Sequence, residues 1–149
     1  MAVHAVWNGG MKCLNSIPES EINVLGDEPV EFGGEGHGPN PFALLQMSLA
    51  SCTIVTILGV AHEKGIGVRG VEVDVKHKQN MAVSGPNDPR QRELKITALR
   101  RTIHLEGDLS DEQRATLLWG AKHCPVSNTL EGAIDIETRL EEVREPSGE

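Results

Sequence analysis

Three cysteines, Cys13, Cys52 and Cys124, and six histidines are the side chains best suited to chemistry near neutral pH in this 149-residue chain. A thiol attacks only as its thiolate, so each cysteine is judged by what would stabilise the anion. Cys124 has a local answer. It follows His123 and precedes Pro125, and proline suits the first turn of a helix. Cys124 is therefore the expected N-cap of a short helical turn from Val126 to Glu131. Partial positive charge at such a position lowers a thiol pKa. A protonated His123 adds to this only if its ring turns toward the sulfur. Cys52 lies inside an apolar stretch, with Leu45, Ser48, Leu49, Val55, Thr56 and Gly59 one or two helical turns away. From helix position alone it reads as a buried packing cysteine. Cys13 sits in a polar, turn-like neighbourhood with nothing to hold a thiolate, and reads as incidental.

Other signals carry less. His62-Glu63 begins like a zinc-protease helix, but position 66 is Ile, so the second histidine ligand is missing. No two cysteines have C-x-x-C spacing, which leaves zinc-ribbon and thioredoxin readings without support. His4, His37, His62, His77, His104 and His123 are scattered, so no metal is expected. A thiol–imidazole metal site of His123 and Cys124 is the minor alternative. Gly34-Glu35-Gly36-His37-Gly38 precedes a helix but lacks the Lys-Ser/Thr of a phosphate loop, and reads as a flexible rim.

The net charge of −8 repels phosphate backbones, so no nucleic-acid partner is expected. The acids of the C-terminal end, Glu141, Glu142, Glu145 and Glu149, read as a solvated tail. The odd cysteine count and the absence of a signal-like N-terminus point to a reducing, cytoplasmic setting. No segment approaches about 18 uninterrupted apolar residues, so no membrane span is expected.

The elements that position the cysteines form one α+β domain over residues 1–149. A chain this long buries roughly 68–70% of its unfolded surface without a disulfide staple. Its four aromatics are Trp7, Phe32, Phe42 and Trp119, which leaves a thin aliphatic core and hints that a partner subunit completes it. Residues 1–39 read as short strands and turns: Val3–Trp7, Ile22–Leu25 and Pro29–Phe32. Asn40 as N-cap and Pro41 open a helix of about 24 residues, stopped by Gly65 and Gly67, spanning roughly 36 Å. It is apolar nearly all round and should be buried at the centre. Val71, Val73 and Val75 alternate with Glu72, Asp74 and Lys76 in a half-buried strand. A second strand, Glu93 to Leu105, pairs antiparallel with it. Its apolar parity changes between Leu94/Ile96 and Ile103/Leu105, which predicts a bulge between Ala98 and Arg101. Ser110 to Gln113 is a capping box for a helix ending near His123. A last strand is expected around Ile134-Asp135-Ile136.

Two blocks give the chain a family resemblance. One is Gly38-Pro39-Asn40-Pro41-Phe42 running through an apolar helix to Ser51-Cys52. The other is His123-Cys124-Pro125-Val126-Ser127-Asn128-Thr129-Leu130. With the order of elements, these resemble the osmotically inducible protein C (OsmC) and organic hydroperoxide resistance family over nearly the whole chain. The resemblance implies an OsmC-like α+β fold in an intertwined homodimer, with antiparallel sheets around long central helices. It implies a thiol peroxidase that needs no cofactor. Cys52 matches the cysteine that attacks an organic hydroperoxide and Cys124 the one that resolves it to a disulfide, which an external dithiol reduces. Two positions depart from the peroxidase members. Phe42 and Ala43 stand where a glutamate often follows the helix-start proline. Met11 and Lys12 follow Gly9-Gly10 where an arginine holds the thiolate. Lys12 is thus a candidate activating charge, without a guanidinium fork. Arg69 and Arg101 are further cations that the sequence does not rank. The alternative is a non-catalytic member of the broader OsmC-like group that binds a small hydrophobic ligand.

Overall fold

The computed structural model describes residues 2–140. The acidic end, 141–149, lies outside them.

The long helix α1 spans Pro41–Lys64, 24 residues. Asn40 caps it by accepting the Ala43 N–H at 2.8 Å, and Pro41 occupies the first turn. Gly65 closes it in the left-handed conformation, its N–H reaching the Ala61 and His62 carbonyls. Within the chain one row is buried: Leu49, Thr53, Ile57 and Ala61, spaced by four residues. Val55 remains 69% exposed, Met47 52% and Leu58 47%, so the expected burial all round is not reached inside one chain. The most apolar 18 residues of α1 have a mean hydropathy of 1.9, enough by length and composition to cross a bilayer. A core helix passes the same test, so the expectation of no membrane span is left as it was. Interspersed Ser and Thr broke the run without making the helix polar.

Two antiparallel sheets accompany the helices. The first is a meander of β1 (His4–Trp7), β2 (Cys13–Ser16) and β3 (Asn23–Gly26). Cys13 lies in β2 opposite Trp7, in a strand rather than a turn, and is exposed. The second sheet pairs β4 (Gly70–Gln79) with β5 (Ile96–Glu106). The ladder runs regularly from Gly70↔Glu106 to Lys78↔Ala98 and then jumps to Gln79↔Ile96, leaving Thr97 as the extra residue. The bulge thus falls just before Ala98 rather than after it. It switches the parity, so that Leu99, Arg101, Ile103 and Leu105 share the inner face. Residues 93–95 precede the strand, because Pro89–Glu93 forms a 3₁₀ turn.

The helices α2 (Asp111–Lys122) and α3 (Pro125–Glu131) follow. The capping box forms as expected. Ser110 Oγ accepts the Gln113 N–H at 3.1 Å, and Gln113 Oε1 accepts the Ser110 N–H at 3.0 Å. Ile57 and Ala61 of α1 meet Leu117 and Ala121 of α2 in the core, and Val71, Ile103 and Leu105 pack on them from the β4–β5 sheet.

Two expected strands are absent. Pro29 caps a 3₁₀ turn at Val30–Phe32, because Asp27 draws the following chain into a tight loop. Its carboxylate accepts the N–H groups of Glu28, Glu35 and His37 at 2.8, 3.1 and 3.0 Å. The glycines of this stretch serve close approach: a Cβ on Gly34 would lie 1.8 Å from the Glu28 carbonyl oxygen. The segment around Ile134-Asp135-Ile136 forms no ladder with any described strand, and Ile134 and Ile136 are exposed.

Candidate functional site

Cys124 is fully buried where α2 gives way to α3. It is the N-cap of α3, as its place before Pro125 predicts. Its sulfur accepts the Ser127 N–H at 3.4 Å, and its carbonyl accepts the Asn128 N–H at 3.0 Å. Ser127 Oγ lies 3.2 Å from the same sulfur. A neutral thiol donates to that hydroxyl, whereas a thiolate accepts from it.

α1 supplies the opposite wall. Thr53 is buried, donates its hydroxyl to the Leu49 carbonyl at 2.7 Å, and places Oγ1 4.0 Å from the Cys124 sulfur. Cys52, one residue earlier on α1 and partly exposed, is among the neighbours that lower the Cys124 pKa. The chain therefore brings Cys52 and Cys124 together. β5 supplies the third wall through Arg101. Its Nη1 donates to Thr53 Oγ1 at 2.8 Å and Ser127 Oγ at 2.9 Å, and stands 3.8 Å from the Cys124 sulfur.

These contacts set the charge of the sulfur. Burial pushes the Cys124 thiol up. Hydrogen bonds from the Ser127 hydroxyl and N–H, followed by the contacts with Cys52 and Thr53, outweigh burial and bring it down from 9.0 to about 7. His123 takes no part. Its Nδ1 is 2.7 Å from the Trp119 carbonyl oxygen and its ring stacks on Trp119, with centroids 4.3 Å apart. Among the described residues, metal-like spacing occurs only at Asp27, Glu35 and His37, where Lys12 already pairs with Glu35.

That pairing answers the question about Lys12. Glu35 holds its ammonium and raises its pKa, and among the described residues it bonds to neither thiol. The cation at the site is Arg101. Arg69 lies on the surface, 3.9 Å from Glu106. Sequence reasoning left Arg101 unranked and passed over Thr53 and Ser127. A signal existed for Arg101, since it shares parity with Leu99, Ile103 and Leu105 and so must point inward. Ser127 could be read as the third residue after an N-cap, the usual source of the capped N–H.

A groove of about 400 Å³ opens beside this cluster. Leu45, Leu49, Leu99 and Leu130 give it apolar walls, and Arg101 and Ser127 stand at its polar side. Neither sulfur lines it.

Similarity to known proteins agrees with this architecture. The family model described as OsmC-like protein matches residues 34–139. An osmotic stress and detoxification response protein from Psychrobacter arcticus is 22% identical, covers 87% of each chain and superposes with a TM-score of 0.71. An OsmC-like protein from Mycoplasma pneumoniae is 20% identical over 88% of this chain and 86% of its own, with a TM-score of 0.71. A Vibrio cholerae structure named for organic hydroperoxide resistance, with captopril bound in one active site, is 25% identical over 91% and 88%, with a TM-score of 0.63. No curated protein matches the sequence. With more than two thirds of the chain under the family model and an α+β fold shared with these structures, the protein belongs to the OsmC-like family.

Proposed function

We propose that this protein is a thiol-dependent peroxidase that reduces organic hydroperoxides and works as a homodimer. The observation that carries the reading is a partly exposed Cys52 on α1 beside Thr53, which lies against the buried Cys124 sulfur at 4.0 Å. The thiolate of Cys52 attacks the outer oxygen of the peroxide. The O–O bond breaks, the alcohol leaves with a proton, and Cys52 becomes a sulfenic acid. The Cys124 thiolate then attacks that sulfur, hydroxide leaves as water, and a disulfide forms. A thiol with a pKa near ambient pH is the best nucleophile for this step. Two electrons from an external dithiol restore both thiols. The apolar groove favours an organic peroxide over hydrogen peroxide.

The test is consumption of cumene hydroperoxide with excess dithiothreitol. Wild type should turn over, and Cys52→Ser should fall to the uncatalysed rate. Equal consumption by the two proteins overturns the proposal. One observation favours a second reading, binding of a small hydrophobic ligand without redox chemistry: neither sulfur lines the groove. That reading loses if stoichiometric peroxide produces a Cys52–Cys124 disulfide by peptide mass.

A further inference from the structure

We propose that Arg101 is a positioning residue that makes Cys124 the leaving group when the Cys52–Cys124 disulfide is reduced, so that the external thiol attacks Cys52. The inference rests on the peroxidase reading above and concerns its second half, the return of electrons.

Arg101 enters the interior from β5 and, among the described residues, forms no ion pair with a carboxylate. A half-buried guanidinium calls for an anion. Of the three groups that its Nη1 meets, only Cys124 can carry negative charge. Nη1 has two protons, and the short contacts to Thr53 and Ser127 use them. Those oxygens must then direct their own protons elsewhere. Thr53 donates to the Leu49 carbonyl, and the Ser127 hydroxyl is left facing the sulfur 3.2 Å away. Arg101 thus acts on Cys124 as a nearby charge and, through Ser127, as an orienter. The Cys52 sulfur has no such support: among the described residues no cation or hydroxyl donates to it.

The asymmetry gives the disulfide a direction. A reductant thiolate attacks the Cys52 sulfur and forms a mixed disulfide there. The bond to Cys124 breaks, and its electron pair stays on Cys124 as the supported thiolate. A second reductant thiolate attacks the mixed disulfide and leaves as the oxidised reductant, and the released Cys52 thiolate takes a proton. Exchange runs faster through the leaving thiol of lower pKa.

The full chain in a Cys13→Ser background is oxidised with diamide, so that disulfide formation does not depend on peroxide. Glutathione is the reducing probe, and rapid alkylation followed by tryptic mass mapping locates the adduct. The expected result is glutathione on Cys52 with Cys124 alkylated. In Arg101→Ala this step should slow by about tenfold, because the leaving thiol loses its support, with partial recovery in Arg101→Lys. The thiolate absorbance of reduced Arg101→Ala should also titrate at higher pH than that of wild type. Glutathione on Cys124, absence of a disulfide after diamide, or an unchanged rate and titration in Arg101→Ala overturns the proposal. If Arg101→Ala does not fold, Arg101→Lys and Ser127→Ala supply the same comparison. Failure of the peroxidase reading is seen separately, as a diamide-oxidised protein that behaves as expected while cumene hydroperoxide forms no disulfide.

Discussion

Cys124 is buried and still favours its anion, and the balance can be followed by titration. With the thiol at about 7 in the folded protein and 9.0 as its ordinary value, the ultraviolet absorbance of the thiolate should rise with a midpoint near pH 7. It should vanish in Cys124→Ser. Between these two values the native state has lost a proton that the unfolded state keeps. The contribution to stability therefore grows with pH across the window, is complete above 9, and is lost as pH falls through 7. Urea midpoints of the reduced protein at pH 7 and pH 9, compared with those of Cys124→Ser, should show that rise in wild type alone. An equal pH response in both proteins removes the argument. Half of this site was legible from sequence. The Cys-Pro step names an N-cap, and the cap geometry is what holds the sulfur. The other half comes from β5. Thr97 bulges out of β5 and reverses the facing of everything after it. Arg101 keeps the parity of Ile103 and Leu105 with either placement of the bulge, so its inward facing was legible, but the groups it meets there, Thr53 and Ser127, were not.

The helices were read well because their ends carry their own chemistry. Asn40-Pro41 and Gly65 bound α1, and Ser110 with Gln113 opens α2, each through contacts between near neighbours. Replacing Ser110 with Ala should cost about 1 kcal/mol of stability, the usual worth of such a cap, measured by urea denaturation. A cost near zero would mean that α2 is fixed by packing alone. The segment after β3 was misread because its shape comes from a single buried carboxylate. Asp27 gathers three backbone N–H groups into one loop, and nothing in the pattern of Pro29–Phe32 reveals it. Gly34 is the test of that loop. Alanine there places a methyl group 1.8 Å from the Glu28 carbonyl oxygen, a backbone atom that cannot yield without undoing the Asp27 contacts. Gly34→Ala should destabilise by at least about 2 kcal/mol, the range of a forced backbone distortion. Gly36 meets nothing within 4 Å but has a positive φ of 70°, so Gly36→Ala should cost less, about 1 kcal/mol.

The amount of apolar surface left uncovered is what a single chain does not explain. Among the described residues only Leu49, Ile57, Ala61, Leu117, Ala121 and Cys124 form the buried apolar core, few for 149 residues. The uncovered part is organised. Met47, Val55 and Leu58 lie on the side of α1 away from its buried row, and Ser51 between them keeps that face narrow enough for a second helix to approach. Val6 and Trp7 of β1, with Ile134 and Ile136 beyond α3, add exposed apolar side chains at both ends of the chain. An exposed apolar helix face such as that of Met47, Val55 and Leu58 suits an interface. The homodimer proposed above accounts for it if the two copies of α1 pack together and the end segments lie across the partner. It also explains why a strand expected around Ile134–Ile136 finds no edge within its own chain. Light scattering coupled to gel filtration should therefore give twice the chain mass of 16.1 kDa. Val55→Glu places a charge at the middle of the α1 face and should yield monomer, or a marked loss of stability, while the exposed surface substitution Glu72→Lys should leave the dimer intact. A wild-type monomer at micromolar concentration would remove the dimer from the proposal. The Arg101–Cys124 cluster would not fall with it, because every one of its contacts is made within one chain.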